Sequence, residues 1–199
     1  MPRAKQRTRE LRDHVLDVAV ATLAREGIAG FTTRTVAREA QTSTPAVYEL
    51  FGDKSGLVRE VFFEGFRLLR RHFEVLEDSD DPHADLVRLA ANFREFVRQN
   101  PVLAEVMFSR PFADFDPSPS ERAAGTSTRT FIVERVRRCI EAGLFRGDET
   151  DIAHALLALV QGLAASESTG RLGTSRDSVN RRWALAVGAM LDGLGSSAR

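Results

Sequence analysis

Apolar residues recur along this chain every three or four positions, and no segment shows the two-residue alternation of a half-buried strand. Over residues 8–26, Leu11, Val15, Val18, Ala19 and Leu23 share one helical face, and Gly27 and Gly30 end the element. A short second helix follows, capped by Thr33, with Val36, Ala37 and Ala40 on its apolar side. Gln41, Thr42 and Ser43 are polar, poor helix formers and stop it. Thr44-Pro45 opens a third helix, Thr44 as N-cap and Pro45 at the first helical position, where its missing N–H costs nothing. Ala46, Val47, Leu50 and Phe51 turn inward, leaving Thr44, Pro45, Tyr48 and Glu49 outward.

A longer helix starts at Asp53-Lys54-Ser55 and carries Val58, Phe62, Phe66, Leu69, Phe73 and Leu76 to about residue 76. The acidic stretch 77–81, ended by Pro82, reads as a solvated loop, since its spacing lacks the calcium-loop pattern. Residues 83–99 are again amphipathic, and Asn100-Pro101 breaks them from a short helix holding Val102, Leu103, Val106, Met107 and Phe108. Residues 109–128 are rich in Pro, Ser and Thr and read as a loop, in which Phe112 and Phe115 either lid a cavity or staple the loop to the core. Helices are predicted over 129–142, 149–168 and 176–194. The last two are apolar on more than one stripe, which asks for a second subunit or a thick core. The fold class is all-α, with about nine helices.

Helix, tight turn, helix is the helix-turn-helix geometry, whose second helix offers its N-terminal residues to a major groove. At these residues the chain resembles the TetR family of bacterial transcriptional regulators: Phe31-Thr32-Thr33, Val36-Ala37, Ala40, Ser43, Ala46-Val47-Tyr48, Phe51, Lys54 and Leu57 match its pattern. Gln41 and Thr42 stand where that family usually has Gly and an apolar residue, so Gln41 must make the turn without glycine's freedom. The resemblance implies a DNA-binding domain over 1–54, a ligand-binding and dimerisation domain over 55–199, and a last helix pair that forms a dimeric four-helix bundle.

The 199 residues carry no net charge, so overall charge gives no argument for nucleic acid. Residues 1–12, however, carry a net +4 from Arg3, Lys5, Arg7, Arg9 and Arg12 against Glu10; they form either an arm along phosphates or a solubilising tail. A single cysteine, Cys139, excludes an internal disulfide and fits a reducing cytoplasm. Neither a signal peptide nor an apolar run of membrane-spanning length is expected, and the localisation is read as cytoplasmic. His14, His72, His83 and His154 are scattered without metal-ligand spacing, and no phosphate loop or nucleophile elbow occurs; no catalytic residue, metal or cofactor is expected. Arg137 and Arg138 beside Cys139 raise the question of a lowered thiol pKa, against the commoner buried structural cysteine.

Tyr48 and Lys54 are expected at phosphates, Thr33 near the backbone, and Thr42, Ser43, Thr44, Pro45 and Ala46 facing bases of a palindromic operator. The alternative for Tyr48 is a core ring. Leu156, Val160, Trp183, Val187, Met190 and Leu191 are expected between the subunits of a homodimer. Phe66, Phe93, Phe96, Met107, Phe108, Phe112 and Phe131, with Asn92, His72 and Gln161 as polar groups, line a pocket for a small hydrophobic effector or else fill one another's space. The function expected is that of a repressor released by such an effector; the alternatives are a small helical enzyme and a dimeric DNA-binding protein with no ligand.

Overall fold

The computed structural model describes residues 2–108 and 118–195, with side chains from Thr8 onward, Ser120 excepted. Among the described residues there are nine helices and no strand: α1 Pro2–Gly30, α2 Thr33–Glu39, α3 Thr44–Phe51, α4 Lys54–Phe73, α5 Pro82–Gln99, α6 Pro101–Phe108, α7 Pro119–Glu141, α8 Glu149–Ser168 and α9 Arg176–Gly195. Two compact units result. One takes the chain through Phe66 and adds α6; the other takes Arg67–Gln99 and the chain from Ser118 onward. This cut falls inside α4, a different place from the functional boundary read at residue 54.

In the first unit, Val15, Leu16, Ala19 and Leu23 form the buried stripe of α1, and Phe31 closes the core. Gly27 takes φ 68 and breaks the helical path of α1, as the glycine signal predicts. Both caps that the sequence reading places here are one residue late. Thr32, not Thr33, caps α2, accepting the Thr35 N–H at 3.1 Å, and Ser43, not Thr44, caps α3, accepting the Ala46 N–H at 3.2 Å. The reason is backbone conformation: Thr32 and Ser43 are extended, whereas Thr33 and Thr44 already have helical geometry as the first helical residues. Asp53 opens α4 by accepting the Gly56 N–H at 2.8 Å.

In the second unit, α7 begins at Pro119, ahead of the start expected at 129. Ser118 and Glu121 form a capping box, in which Ser118 Oγ accepts the Glu121 N–H at 3.3 Å and the Glu121 carboxylate accepts the Ser118 N–H at 2.5 Å. The acidic loop before α5 is held by arginines. Asp78 pairs with Arg135 at 2.9 Å and Arg138 at 3.3 Å, and the buried Asp85 takes Arg138 at 2.6 Å, Arg88, and the hydroxyl and N–H of Ser79. Burial pushes the Asp85 carboxyl up, but these donors outweigh it and hold the group at about 2. Cys139 is fully buried, and desolvation, opposed by Arg138, raises its thiol to about 11, so it is a core residue rather than a nucleophile.

Most of the residues expected between subunits lie inside this one chain. Leu156, Val160, Trp183, Val187 and Leu191 are each 5% exposed or less within this one chain. They fill the packing of α8 and α9 on each other and on α5, and Met190 is half-buried. Trp183 donates its indole N–H to Glu167 at 2.7 Å, and Arg94 forks onto Glu167 at 2.7 and 2.8 Å. One apolar stripe of each helix is thus buried in the subunit's own core, while Leu157, Leu159, Leu163, Ala186 and Leu194, like Met190, stay half-buried. The outward side carries Ala155, Ala158 and Gly162 of α8 and Ala184 and Leu185 of α9, with Leu185 71% exposed. No helix of the described residues is long and apolar enough to cross a membrane.

Candidate nucleic-acid interface

The turn between α2 and α3 is set by Gln41, which takes φ 52. Its N–H donates to the Arg38 carbonyl at 3.2 Å, and the Thr42 N–H reaches back to Ala37 at 2.9 Å. This paired closure of a helix C-terminus ordinarily places glycine where Gln41 stands. It fixes where α3 begins.

Val47 and Phe51 anchor α3 from beneath, at 0% and 8% exposure. Tyr48 points the other way and is 45% exposed, so it is not a core ring. Ser43, Pro45, Glu49 and Lys54 are exposed beside it, and Thr42, Thr44 and Ala46 are half-buried. Thr33 differs: it is 5% exposed, so its side chain offers a phosphate no surface. Two further cations stand on α2, where Arg34 and Arg38 are both exposed. Sequence reasoning misses them, although they lie off the Val36–Ala37 apolar face, which is the available signal.

Polar links brace this head. Thr22 donates to Glu39 at 2.9 Å and Arg25 reaches the same carboxylate at 2.5 Å, tying α1 to α2. The Arg25 bond, helped by Thr22, lowers the Glu39 pKa. Arg12 pairs with Glu60 at 2.7 Å and lies over the Phe51 ring, so it is engaged inside the unit rather than left for phosphate. Arg9 is exposed; the backbone of α1 is helical from Pro2, and the side chains of Arg3, Lys5 and Arg7 lie outside the described ones.

The residues assigned to an effector pocket divide between the units. Phe66, Met107 and Phe108 belong to the first, where Phe66 and Phe108 meet edge to face at 6.3 Å. Asn92, Phe93, Phe96, Phe131 and Gln161 belong to the second, and Phe112 and Phe115 lie outside the described residues. The second unit has an apolar cavity lined by Phe73, Leu89, Phe93, Ile132, Leu156 and Val160 among others, with room of about 10 Å³, enough for roughly one water. Phe131 instead stacks on Phe73 at 5.5 Å, with the guanidinium of Arg135 at 3.6 Å from its centre. Buried Asn92 Oδ1 and His72 Nε2 have no hydrogen-bond partner among the described residues.

Residues 15–61 match the model of bacterial regulatory proteins of the tetR family, and residues 86–190 match that of the tetracyclin repressor-like C-terminal domain. No curated protein matches the chain. A protein with unknown function from Rhodococcus sp. RHA1 is similar over 94% of this chain and 96% of its own, at 26% identity and a TM-score of 0.77. The TetR family transcriptional regulator PfmR from Thermus thermophilus aligns at 20% identity and a TM-score of 0.64, covering 90% of this chain and 98% of its own. A bacterial regulatory protein in the tetR family from Rhodococcus RHA1 gives 19% and 0.65, over 94% of this chain and 98% of its own. At such identities the last two show the fold alone.

Proposed function

Because the chain belongs to the TetR family of bacterial regulatory proteins, and so is a transcriptional regulator with a helix-turn-helix, we propose that it is a dimeric repressor released from a palindromic operator by a small, largely apolar effector. The observation that carries the DNA reading is the outward face of α3, where Pro45 and Tyr48 are exposed beside Lys54 while Val47 and Phe51 hold the helix from below. On this reading Tyr48 and Lys54 meet phosphates, Arg34 and Arg38 add charge, and Thr42, Ser43, Thr44, Pro45 and Ala46 face base edges. Pro45 and Ala46 suit a thymine methyl. We keep 1–54 as the DNA-binding region and 55–199 as the region that dimerises and holds the effector. A protein acting on bacterial DNA works in the cytoplasm.

Dimerisation is assigned to the outward side of α8 and α9. Ala155, Ala158, Gly162, Ala184 and Gly188 are small enough for close helix approach, and a side chain added at Gly162 or Gly188 would meet nothing within the subunit. The effector is assigned to the second unit, at the cavity beside Phe93, which must widen on binding. Asn92 and His72 lie in the same unit but outside that cavity's lining; each leaves a buried polar atom without a partner, at a cost of about 1–3 kcal/mol that a ligand's hydrogen bond would recover if the cavity widened toward them. Release requires that the effector favour a dimer whose reading heads mismatch the operator, with α4 as the mechanical link because its residues belong to both units.

The test is selection of bound duplexes from a random library by the purified full-length protein. The expected result is a palindrome whose half-site centres lie about 34–36 Å apart or at a multiple of that. Recovery of a single half-site, or no enrichment, would overturn the dimeric operator reading. Calorimetry of apolar compounds with and without that operator then tests release, because operator must weaken effector binding by the same factor by which effector weakens operator binding.

A further inference from the structure

A second cavity lies in the first unit, between α1, α4 and α6. It holds about 60 Å³ and is walled by Leu23, Ile28, Phe31, Val58, Val61 and Val106, with Lys54 the one polar residue in its lining. Leu23, Phe31, Val61 and Val106 are each 4% exposed or less, so four walls are fixed by core packing. Ile28 stands at the mouth, 50% exposed, directly after the break at Gly27. Lys54 is exposed and meets no carboxylate among the described residues. An apolar hollow walled in part by the stem of one exposed, unengaged lysine has a definite complement.

We propose that this cavity binds a small aliphatic monocarboxylate, its alkyl end inside and its carboxylate on the Lys54 ammonium. Size sets the tail. A cavity of about 150 Å³ accepts benzene, so one of this volume takes the last two or three carbons of a chain, and the rest lies over Ile28. Charge sets the head: a neutral alcohol would leave the ammonium unused, and inorganic phosphate would leave the hollow empty. With so little surface enclosed, affinity is on the order of millimolar. One consequence rests on the function proposed above. If Lys54 also meets a phosphate, carboxylate and DNA compete for a single ammonium.

The experiment is a methyl NMR titration of the full-length protein, free of DNA and at constant ionic strength, with sodium hexanoate and separately with 1-hexanol. Saturable hexanoate shifts are expected at the methyls of Ile28, Val58, Val61 and Val106. Lys54→Gln should weaken hexanoate roughly threefold to fivefold, as loss of an exposed ion pair does, and leave the hexanol shifts unchanged. Absence of saturable shifts at these methyls, or equal hexanoate affinity in Lys54→Gln, overturns the proposal. A second arm adds operator duplex. Hexanoate that binds the pocket without weakening DNA binding overturns the competition alone and counts against Lys54 as a phosphate contact.

Discussion

Thr42 donates its backbone N–H to the carbonyl of Ala37 at 2.9 Å, and Gln41, one residue before Thr42, is thereby held at φ 52. A non-glycine residue in the left-handed region costs roughly 1–2 kcal/mol, and Gln41 is exposed, so nothing else depends on its side chain. Gln41→Gly should therefore stabilise the protein by about 0.5–1 kcal/mol, the strain relief outweighing the extra freedom of the unfolded chain. Urea unfolding of the two proteins checks this; a lower midpoint for the glycine variant would mean that the turn is not strained.

Gly56 makes the opposite case. A Cβ there would run into the backbone carbonyl oxygen of Phe51, a group that cannot rotate away. Helix propensity favours alanine by about 1 kcal/mol, but overpacking against backbone costs about 1–3 kcal/mol. Gly56→Ala should come out destabilising and should loosen the junction of α3 and α4, weakening DNA binding with it. A variant as stable as the parent would show that the junction gives way freely.

Much of this architecture is legible in the chain. The three-and-four spacing locates all nine helices of the described residues, Gly27 marks the break in α1, and Tyr48, the chain's one tyrosine, falls on the outward face. The failures have physical causes. Thr32-Thr33 and Ser43-Thr44 each offer two adjacent capping hydroxyls, and backbone conformation, which composition does not specify, chooses between them. The early start of α7 is written in Ser118-Pro119 and Glu121, but the surrounding prolines and serines draw the reading toward a loop. That Trp183 and Val187 are buried within the subunit is not legible in periodicity, which says that a face is buried, never by what. Gly56 leaves no signal, since its need arises from a contact that exists only after α3 and α4 fold.

Lys54 carries the electrostatic prediction for DNA. If it neutralises one phosphate, Lys54→Ala should weaken binding to operator and to unrelated duplex alike, and the slope of log K against log salt should fall by about one unit. Fluorescence anisotropy at several salt concentrations measures both. An unchanged slope removes Lys54 from the phosphate contacts whatever happens to affinity.

Asp85 carries the pH prediction. Its folded carboxyl titrates at about 2 against 3.8 unfolded, so the folded state prefers the ionised form. The stabilisation is fully present above the unfolded value and is lost as pH falls through the folded one, which places the window between 3.8 and about 2. The shift corresponds to roughly 2–3 kcal/mol at neutral pH. Asp85→Asn should lose about that much at pH 7, and parent and variant should converge near pH 2. Urea unfolding across pH checks it; a constant gap down to the acid limit would assign the loss to packing rather than to charge.

The dimer is the premise of the palindrome, and two neighbouring residues of α9 separate interface from core. Leu185 is 71% exposed on the outward face, while Val187 is 5% exposed against the subunit's own helices. Leu185→Glu places a charge that a lone subunit leaves in water but a dimer must bury. It should therefore abolish dimers at micromolar concentration while the helical content and the Trp183 emission of the folded monomer persist. Val187→Glu puts a charge with no partner into the core, a change worth about 3–5 kcal/mol when a buried charge is left uncompensated, and should unfold the second unit. Sedimentation velocity with circular dichroism distinguishes the two. Wild-type protein that sediments as a monomer, or Leu185→Glu that remains a dimer, would move the interface off the outward face of α8 and α9. A Val187→Glu variant that stays folded but monomeric would return the interface to the residues that the core now claims.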